Sequence, residues 1–235
     1  ACSFENTAND NKQPDSNEQP KDDGKKNDDP KKPKILRLNN NEEPGSLHPG
    51  TAQGTHDSWI LEHTFEGLTK KNAEGEILPG MAKDWDSVDG VTWTFNLRDD
   101  IYWSNGDEVI AEDFEYAWKH VLNPSTASQY AYQLYYLAGG EEYNAAQEEA
   151  DLAALEAKVG VKALNSKTLE VTLAQPTPYF LDLTSFYTYY PINKKVAEAN
   201  KDWALEANTH VSNGPFYLAE WKHKESLKIK KNEKY

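Results

Sequence analysis

Between Val91 and Val121 the chain changes its hydrophobic period, and few folds accommodate that change within so short a stretch. Val91, Trp93, Phe95 and Leu97 alternate with Thr92, Thr94 and Asn96, the pattern of a half-buried strand. Ile101 to Trp103 reads as a second short strand, and Asn105-Gly106 is expected to supply the positive φ angles of a tight turn. Directly afterwards Phe114, Ala117, Trp118 and Val121 recur at i, i+3, i+4 and i+7. That spacing predicts an amphipathic helix, with Glu112 and Asp113 near its positive end and Pro124 beyond its stop. Strands and helices mixed in this way, with no internal repeat, predict an α/β or mixed α+β fold rather than a bundle or a solenoid.

The rest of the chain beyond Lys34 has the same mixed character. Ile35, Leu36 and Leu38 predict a short strand, and Asn39 to Gly50, rich in Asn, Pro and Gly, an irregular connection. Trp59, Ile60, His63 and Thr64 predict a helix over Ser58 to Phe65, capped by Asp57 or Ser58 and ending near Gly67. Asn144 to Val159 is dominated by Ala and Glu, with Leu152, Leu155 and Val159 on one stripe, and predicts one surface helix. Thr168 to Leu173 alternates and is expected to pair with Val161 to Leu164 through a turn at Asn165 and Ser166. Pro176 and Pro178 interrupt regular structure. Phe216 to Ile229 predicts a hairpin with Lys228 and Lys230 facing outward.

Ala1 to Lys34 is different. Asn, Asp, Lys, Glu, Gln and Pro dominate it and Phe4 is its only large apolar residue, too little to bury for folding. Its seven Lys nearly balance eight Asp and Glu, so almost all of the net charge of −14 belongs to the remainder. As a flexible coil it would span roughly 30 Å. The acidic balance excludes a basic nucleic-acid groove. A single cysteine, Cys2, leaves no internal disulfide and no multi-thiolate metal site. A sole Cys at the head of a long polar spacer is similar to the lipid-modified cysteine of bacterial lipoproteins, with Ala1 as the last residue of a signal peptide; a free exposed thiol is the other reading.

The segment Met81 to Pro124 carries an aromatic strand ending in Leu97-Arg98, then Trp103-Ser104-Asn105-Gly106, then a helix opening Ala111-Glu112-Asp113-Phe114. In this it resembles the family of peptide- and nickel-binding proteins of ABC importers. Further landmarks follow the family's order: Glu66-Gly67-Leu68, Pro79-Gly80-Met81-Ala82, Val161-Lys162-Ala163-Leu164, Pro178-Tyr179-Phe180 and Ser212-Asn213-Gly214-Pro215-Phe216. The resemblance covers Ile35 to Tyr235, and Asn123 to Tyr130 is similar to the oligopeptide-binding branch. One departure is Ile110, where the family carries a hydroxyl cap. A second is length, since family members are much longer.

The resemblance implies a periplasmic-binding-protein-like fold of type II, present as one incomplete lobe with an inserted domain and without the second lobe. Residues 1–34 would be a lipoprotein tether, 35–65 and 190–235 parts of the first lobe, and 66–189 the inserted α+β domain. It implies an extracytoplasmic monomer, anchored through Cys2 to the outer face of the cell membrane, that captures extended oligopeptides for a membrane permease. Such ligands are held as an added strand through main-chain hydrogen bonds, with hydrated pockets for side chains. Gln53, Gly54 and Thr55 match the segment along the ligand backbone, Tyr130 a tyrosine bordering the cleft, and Asn213 a residue that either bonds ligand or shapes its turn. Gln53 stands where the branch carries an acid; a plain surface turn is the other reading of that loop. Trp93, Trp103, Phe114 and Trp118 are expected in the core, and Arg98 in an ion pair with Asp99, Asp100 or Asp113.

Catalysis has little support. His48, His56, His63, His120, His210 and His223 form no zinc-helix spacing, no Ser lies in a Gly-x-Ser-x-Gly turn, and no phosphate loop occurs. With 39 carboxylates, a close pair carries no weight. No cofactor or metal is called for. Within the binding class, nickel, haem, an opine, a sugar or a signalling peptide would suit the same scaffold, and a surface adhesin is a third class compatible with the tether.

Overall fold

A computed structural model describes residues 33–235 of the protein. Cys2, Ala1 and all but the last two residues of the expected tether lie outside the described residues. In chain order the elements are α1 (Thr55–Thr64), β1 (Thr69–Lys71), β2 (Ile77–Pro79), β3 (Ala82–Ser87), β4 (Thr92–Leu97), α2 (Ala111–Leu122), α3 (Gly140–Asn144), α4 (Glu149–Ala157), β5 (Val161–Asn165), β6 (Thr168–Thr172), α5 (Phe180–Leu183), α6 (Lys194–Ala199), β7 (Phe216–Lys222) and β8 (Ser226–Lys231). Short 3-10 turns lie at Pro124–Thr126, Ala131–Leu134 and Tyr187–Tyr189.

The alternating run becomes β4, in the middle of an antiparallel sheet ordered β3-β4-β6-β5. Phe95 pairs with Leu169 and Trp93 with Val171, so one face of the sheet is continuously apolar. Helix α2 packs on β5 and β6, burying Ala111, Phe114, Ala117, Trp118, Val121 and Leu122. The expected β5–β6 and β7–β8 hairpins both form, with Lys228 and Lys230 exposed. Trp103, Phe114 and Trp118 are fully buried and Trp93 half-buried, in one apolar cluster running from Ala52 to Val211.

Ile110 carries no hydroxyl to accept a first-turn N–H, and only the reciprocal half of a capping box forms: Asp113 Oδ2 accepts the Ile110 N–H at 3.1 Å. The same carboxylate accepts Trp103 Nε1–H at 2.9 Å and the Lys194 N–H at 3.0 Å, joining the N-termini of α2 and α6.

Several expectations need correction. Residues 33–39 have no regular structure, and Ile35, Leu36 and Leu38 are exposed; three apolar residues make no strand without an edge to bond. Helix α1 begins at Thr55, ahead of the expected cap, and buries Asp57, Leu61 and Thr64 while Trp59 stays exposed. The helix expected over Asn144 to Val159 is shorter, α4 from Glu149 to Ala157, and Asn144 instead ends α3, where its Oδ1 accepts from the Tyr135 hydroxyl and its Nδ2 donates to the Leu122 carbonyl. In the Asn105-Gly106 turn only Gly106 has positive φ, +91°, while the Asn105 side chain accepts the Asp107 N–H. Ile101 to Trp103 forms no strand beyond an isolated bridge between Tyr102 and Glu108. Among the described residues Arg98 closes no ion pair; its Nε donates to the Gly80 carbonyl at 2.8 Å.

Candidate functional site

The loop entering α1 is held from several sides. The buried Asp57 carboxylate, in the first helical turn, accepts the Gly45 N–H at 2.6 Å through Oδ1 and the Gln53 N–H at 3.2 Å through Oδ2. A carboxylate suits this place, because the helix N-terminus carries positive partial charge and the gathered amides are donors. His48 Nδ1 accepts the Gly50 N–H at 3.0 Å, and the His48 carbonyl accepts those of Thr51 and Ala52. From the segment after α2, Ser128 donates its hydroxyl to the Gly50 carbonyl at 2.6 Å, and the Tyr130 phenol donates to the Gln53 carbonyl at 3.1 Å.

Gln53, Gly54, Thr55 and Tyr130 are therefore brought together, with Gln53 and Thr55 exposed and Gly54 and Tyr130 half-buried. Both main-chain polar groups of Gln53 are already engaged, by Asp57 and Tyr130. Any ligand strand laid along Gln53 would have to displace the phenol from its carbonyl. By contrast, of the first-turn N–H groups of α1 those of Asp57 and Ser58 turn back to the Gly54 carbonyl, while those of Thr55 and His56 have no acceptor within the helix.

Tyr130 sits in an aromatic group absent from the sequence reading. Its ring centroid lies 5.9 Å from Tyr132, 6.0 Å from Phe186 and 6.0 Å from Tyr187, and the last two are 4.2 Å apart. Burial, then the neighbouring Tyr130, raises the Tyr187 phenol well above its ordinary pKa. Phe186 and Tyr187 also line a cavity of about 540 Å³ with Glu62, Lys70, Asp182 and Tyr190, but Gln53 to Thr55 do not. Nothing in the sequence marks Phe186 and Tyr187 for this place, since both lie more than fifty residues from Tyr130.

Asn213 is not part of this arrangement. It is fully buried, its Oδ1 accepting the Glu66 N–H at 3.0 Å and its Nδ2 donating to the Glu66 carbonyl at 2.9 Å. Both ends of the amide are occupied by backbone, so of its two expected roles the geometry supports the structural one. The adjacent Gly214 donates its N–H to the Thr64 carbonyl at 2.8 Å. A Cβ at Gly214 would stand 2.5 Å from the Thr64 carbonyl carbon. Ser212 exchanges bonds with Ser104. The Ser-Asn-Gly-Pro landmark thus staples the Glu66-Gly67-Leu68 landmark and the Trp103-Ser104 one.

Among the described residues no group of His, Cys, Asp and Glu is disposed to hold a metal ion, and no helix is long and apolar enough to cross a membrane.

The family model described as bacterial extracellular solute-binding proteins, family 5 Middle, matches residues 76–235. The chain is 52% identical over 202 residues to the oligopeptide-binding protein OppA of Bacillus subtilis and 41% over 203 residues to its dipeptide-binding protein DppE. These alignments cover 85% and 86% of the chain but 36% of each relative. Among solved structures, the substrate-binding domain of an oligopeptide ABC transporter from Bacillus anthracis matches with a TM-score of 0.78 and 40% identity over 83% of the chain and 37% of its own. Haemophilus influenzae OppA in complex with RPPGFSPFR matches with a TM-score of 0.76 and 32% identity, over 84% of the chain and 38% of its own. The chain spans little more than a third of the length of these relatives, and it belongs to the bacterial extracellular solute-binding proteins of family 5.

Proposed function

We propose that this chain is part of the extracytoplasmic substrate-binding component of an ABC importer, taking up oligopeptides in extended conformation and handing them to a membrane permease. The observation that carries the reading is the 52% identity to a protein named for oligopeptide binding, along nearly the whole described chain. The loop at Gln53, Gly54 and Thr55, set beside Tyr130, supports it as one wall of the peptide site. Gly54 allows close approach of a ligand backbone, and Tyr130 offers an apolar face with a polar tip. Asn213 acts on the peptide only through the staple it makes with Glu66. In the same proposal, 35–65 and 190–235 contribute to one lobe and 66–189 to an inserted domain, Cys2 carries the lipid anchor, and the protein works as a monomer without catalysis.

An open wall cannot desolvate its ligand, so affinity is expected to need the facing lobe. Titration calorimetry tests this with di-, tri- and pentapeptides, using a chain extended to the full length of its relatives beside the 235-residue chain. Binding heat from the long form and little from the short one is the expected result. No heat from either overturns the peptide reading and brings nickel, haem or a sugar forward.

A further inference from the structure

Beneath the Gln53 loop runs a column of rings that the peptide reading does not use. His48 lies 5.2 Å from His120 of α2 and 5.3 Å from Trp203, centroid to centroid. Trp203 lies 5.3 Å from His210, which meets Phe65 edge-on at 5.5 Å. His120 in turn stacks on Tyr116 at 5.9 Å. Three imidazoles from three separate parts of the chain therefore occupy one column, and its top member holds the loop.

The hydrogen bonds fix how these rings carry their protons. Because Gly50 N–H donates to His48 Nδ1, the neutral ring keeps its proton on Nε2. A second proton has to enter at Nδ1, where it would face the Gly50 N–H and break that contact. His210 is buried with Nε2 bonded to the Leu47 carbonyl at 2.9 Å, and among the described residues its Nδ1 has no partner to receive a proton's hydrogen bond. Burial lowers all three basicities, and in His48 the positive charges that His120 and His210 would carry lower it further.

The other titratable groups facing the column do not offset this. Tyr116 is a neutral phenol whose pKa burial and Glu198 of α6 raise. Asp57, the carboxylate gripping the loop, is committed to the amides of Gly45, Ser46 and Gln53. His48 itself remains partly exposed, so a proton has a route in from water.

We propose that His48 is the positioning residue of the Gly50 turn that leads into the Gln53–Thr55 loop, and that its protonation, opposed by His120 and His210 behind it, frees that turn in acid and weakens ligand binding at the loop beyond it. The site so controlled is the one proposed above, and the device rests on that reading. Its direction follows from linkage: a ring that must stay neutral in place stabilises the closed loop fully above the ordinary histidine pKa. That contribution falls as pH drops below it toward the depressed native value.

Amide hydrogen exchange read by NMR on the 235-residue chain, between pH 7.5 and 4.5, tests the device without any ligand. Protection of Gly50 and Gln53, corrected for intrinsic rates, is expected to fall about tenfold per pH unit below about 6.5 if one histidine is exposed on opening. It should stay well below that of Phe95 and Leu169 in the sheet at every pH. His48→Asn keeps an acceptor for the Gly50 N–H but cannot take a proton, and its loop protection should be flat. The wild-type imidazole proton shift of His48, followed in the same titration, should stay flat down to pH 4.5 because burial and the facing imidazoles hold the ring neutral in the closed loop; a ring that titrates near the ordinary histidine value overturns the proposal even if the variant does not fold. Loop protection that is flat in the wild type, or equal to that of the sheet throughout, overturns the proposal. A loop that opens in acid while no peptide binds the long form would leave the device standing and remove the peptide reading; a bound peptide over a pH-insensitive loop would do the reverse.

Discussion

Asp113 shows how much one side chain carries here. Its carboxylate is buried and takes three donors, the Trp103 indole and the N–H groups of Ile110 and Lys194, at 2.9 to 3.1 Å. Asp113→Ala leaves those donors without an acceptor at about 1–3 kcal/mol for each buried group. Differential scanning calorimetry should show Tm lowered by roughly ten degrees or more, at about 2–4 °C per kcal/mol for a chain of this size. An unchanged Tm would mean water replaces the carboxylate. Burial raises the Asp113 pKa, so protonation is easier folded than unfolded, and acidification through that range favours the fold at this site, opposite in sign to the histidine column. The sequence showed Asp113 as an acid near a helix start. It did not show the bond to Lys194, because that contact joins positions 81 residues apart, and local pattern has no reach at such distance. The same limit hid His48: its partners at 120, 203 and 210 share no spacing with it.

Among the elements, those with a clean hydrophobic period were legible. Strand β4, helix α2 and the β5–β6 and β7–β8 hairpins follow from alternation or the i, i+3, i+4 rule. Helix α1 was misplaced because its buried face includes a carboxylate, Asp57, whose purpose is to collect loop amides. The gap between α3 and α4 carries no Gly or Pro, and at its edge Asn144 is bonded to Tyr135 and Leu122. The turn before β7 was legible only as a landmark, and its reason is close approach. Gly214→Ala would push a methyl against the Thr64 and Phe65 backbone, where no flexible side chain can yield. About 1–3 kcal/mol of stability should be lost, as for other overpacked sites, read as a lower denaturant midpoint with unchanged slope. A neutral result would mean that α1 and the turn slide apart freely.

At the scale of the whole molecule, charge and chain order matter most. The sequence carries −14 overall, and among the described residues the ion pairs are mostly exposed, as in Lys71–Asp182 and Lys228–Glu220, so each contributes little. Self-repulsion should then dominate, and raising salt from 20 to 300 mM should raise Tm as the Debye length shortens; a fall would show that the ion pairs outweigh the repulsion. The resemblance supplied the surroundings of Tyr130 only in part, because Phe186 and Tyr187 arrive from a distant segment. The staple from Asn213 to Glu66 has a consequence in time. During synthesis at about 5–20 residues per second, Glu66 waits roughly 7–30 s for a partner 147 positions later. Until Gly214 has emerged, the segment around Thr64 to Gly67 stays unlatched and the core beside it cannot close. A chain that latches so late stays threadable at this seam until Gly214 has been made.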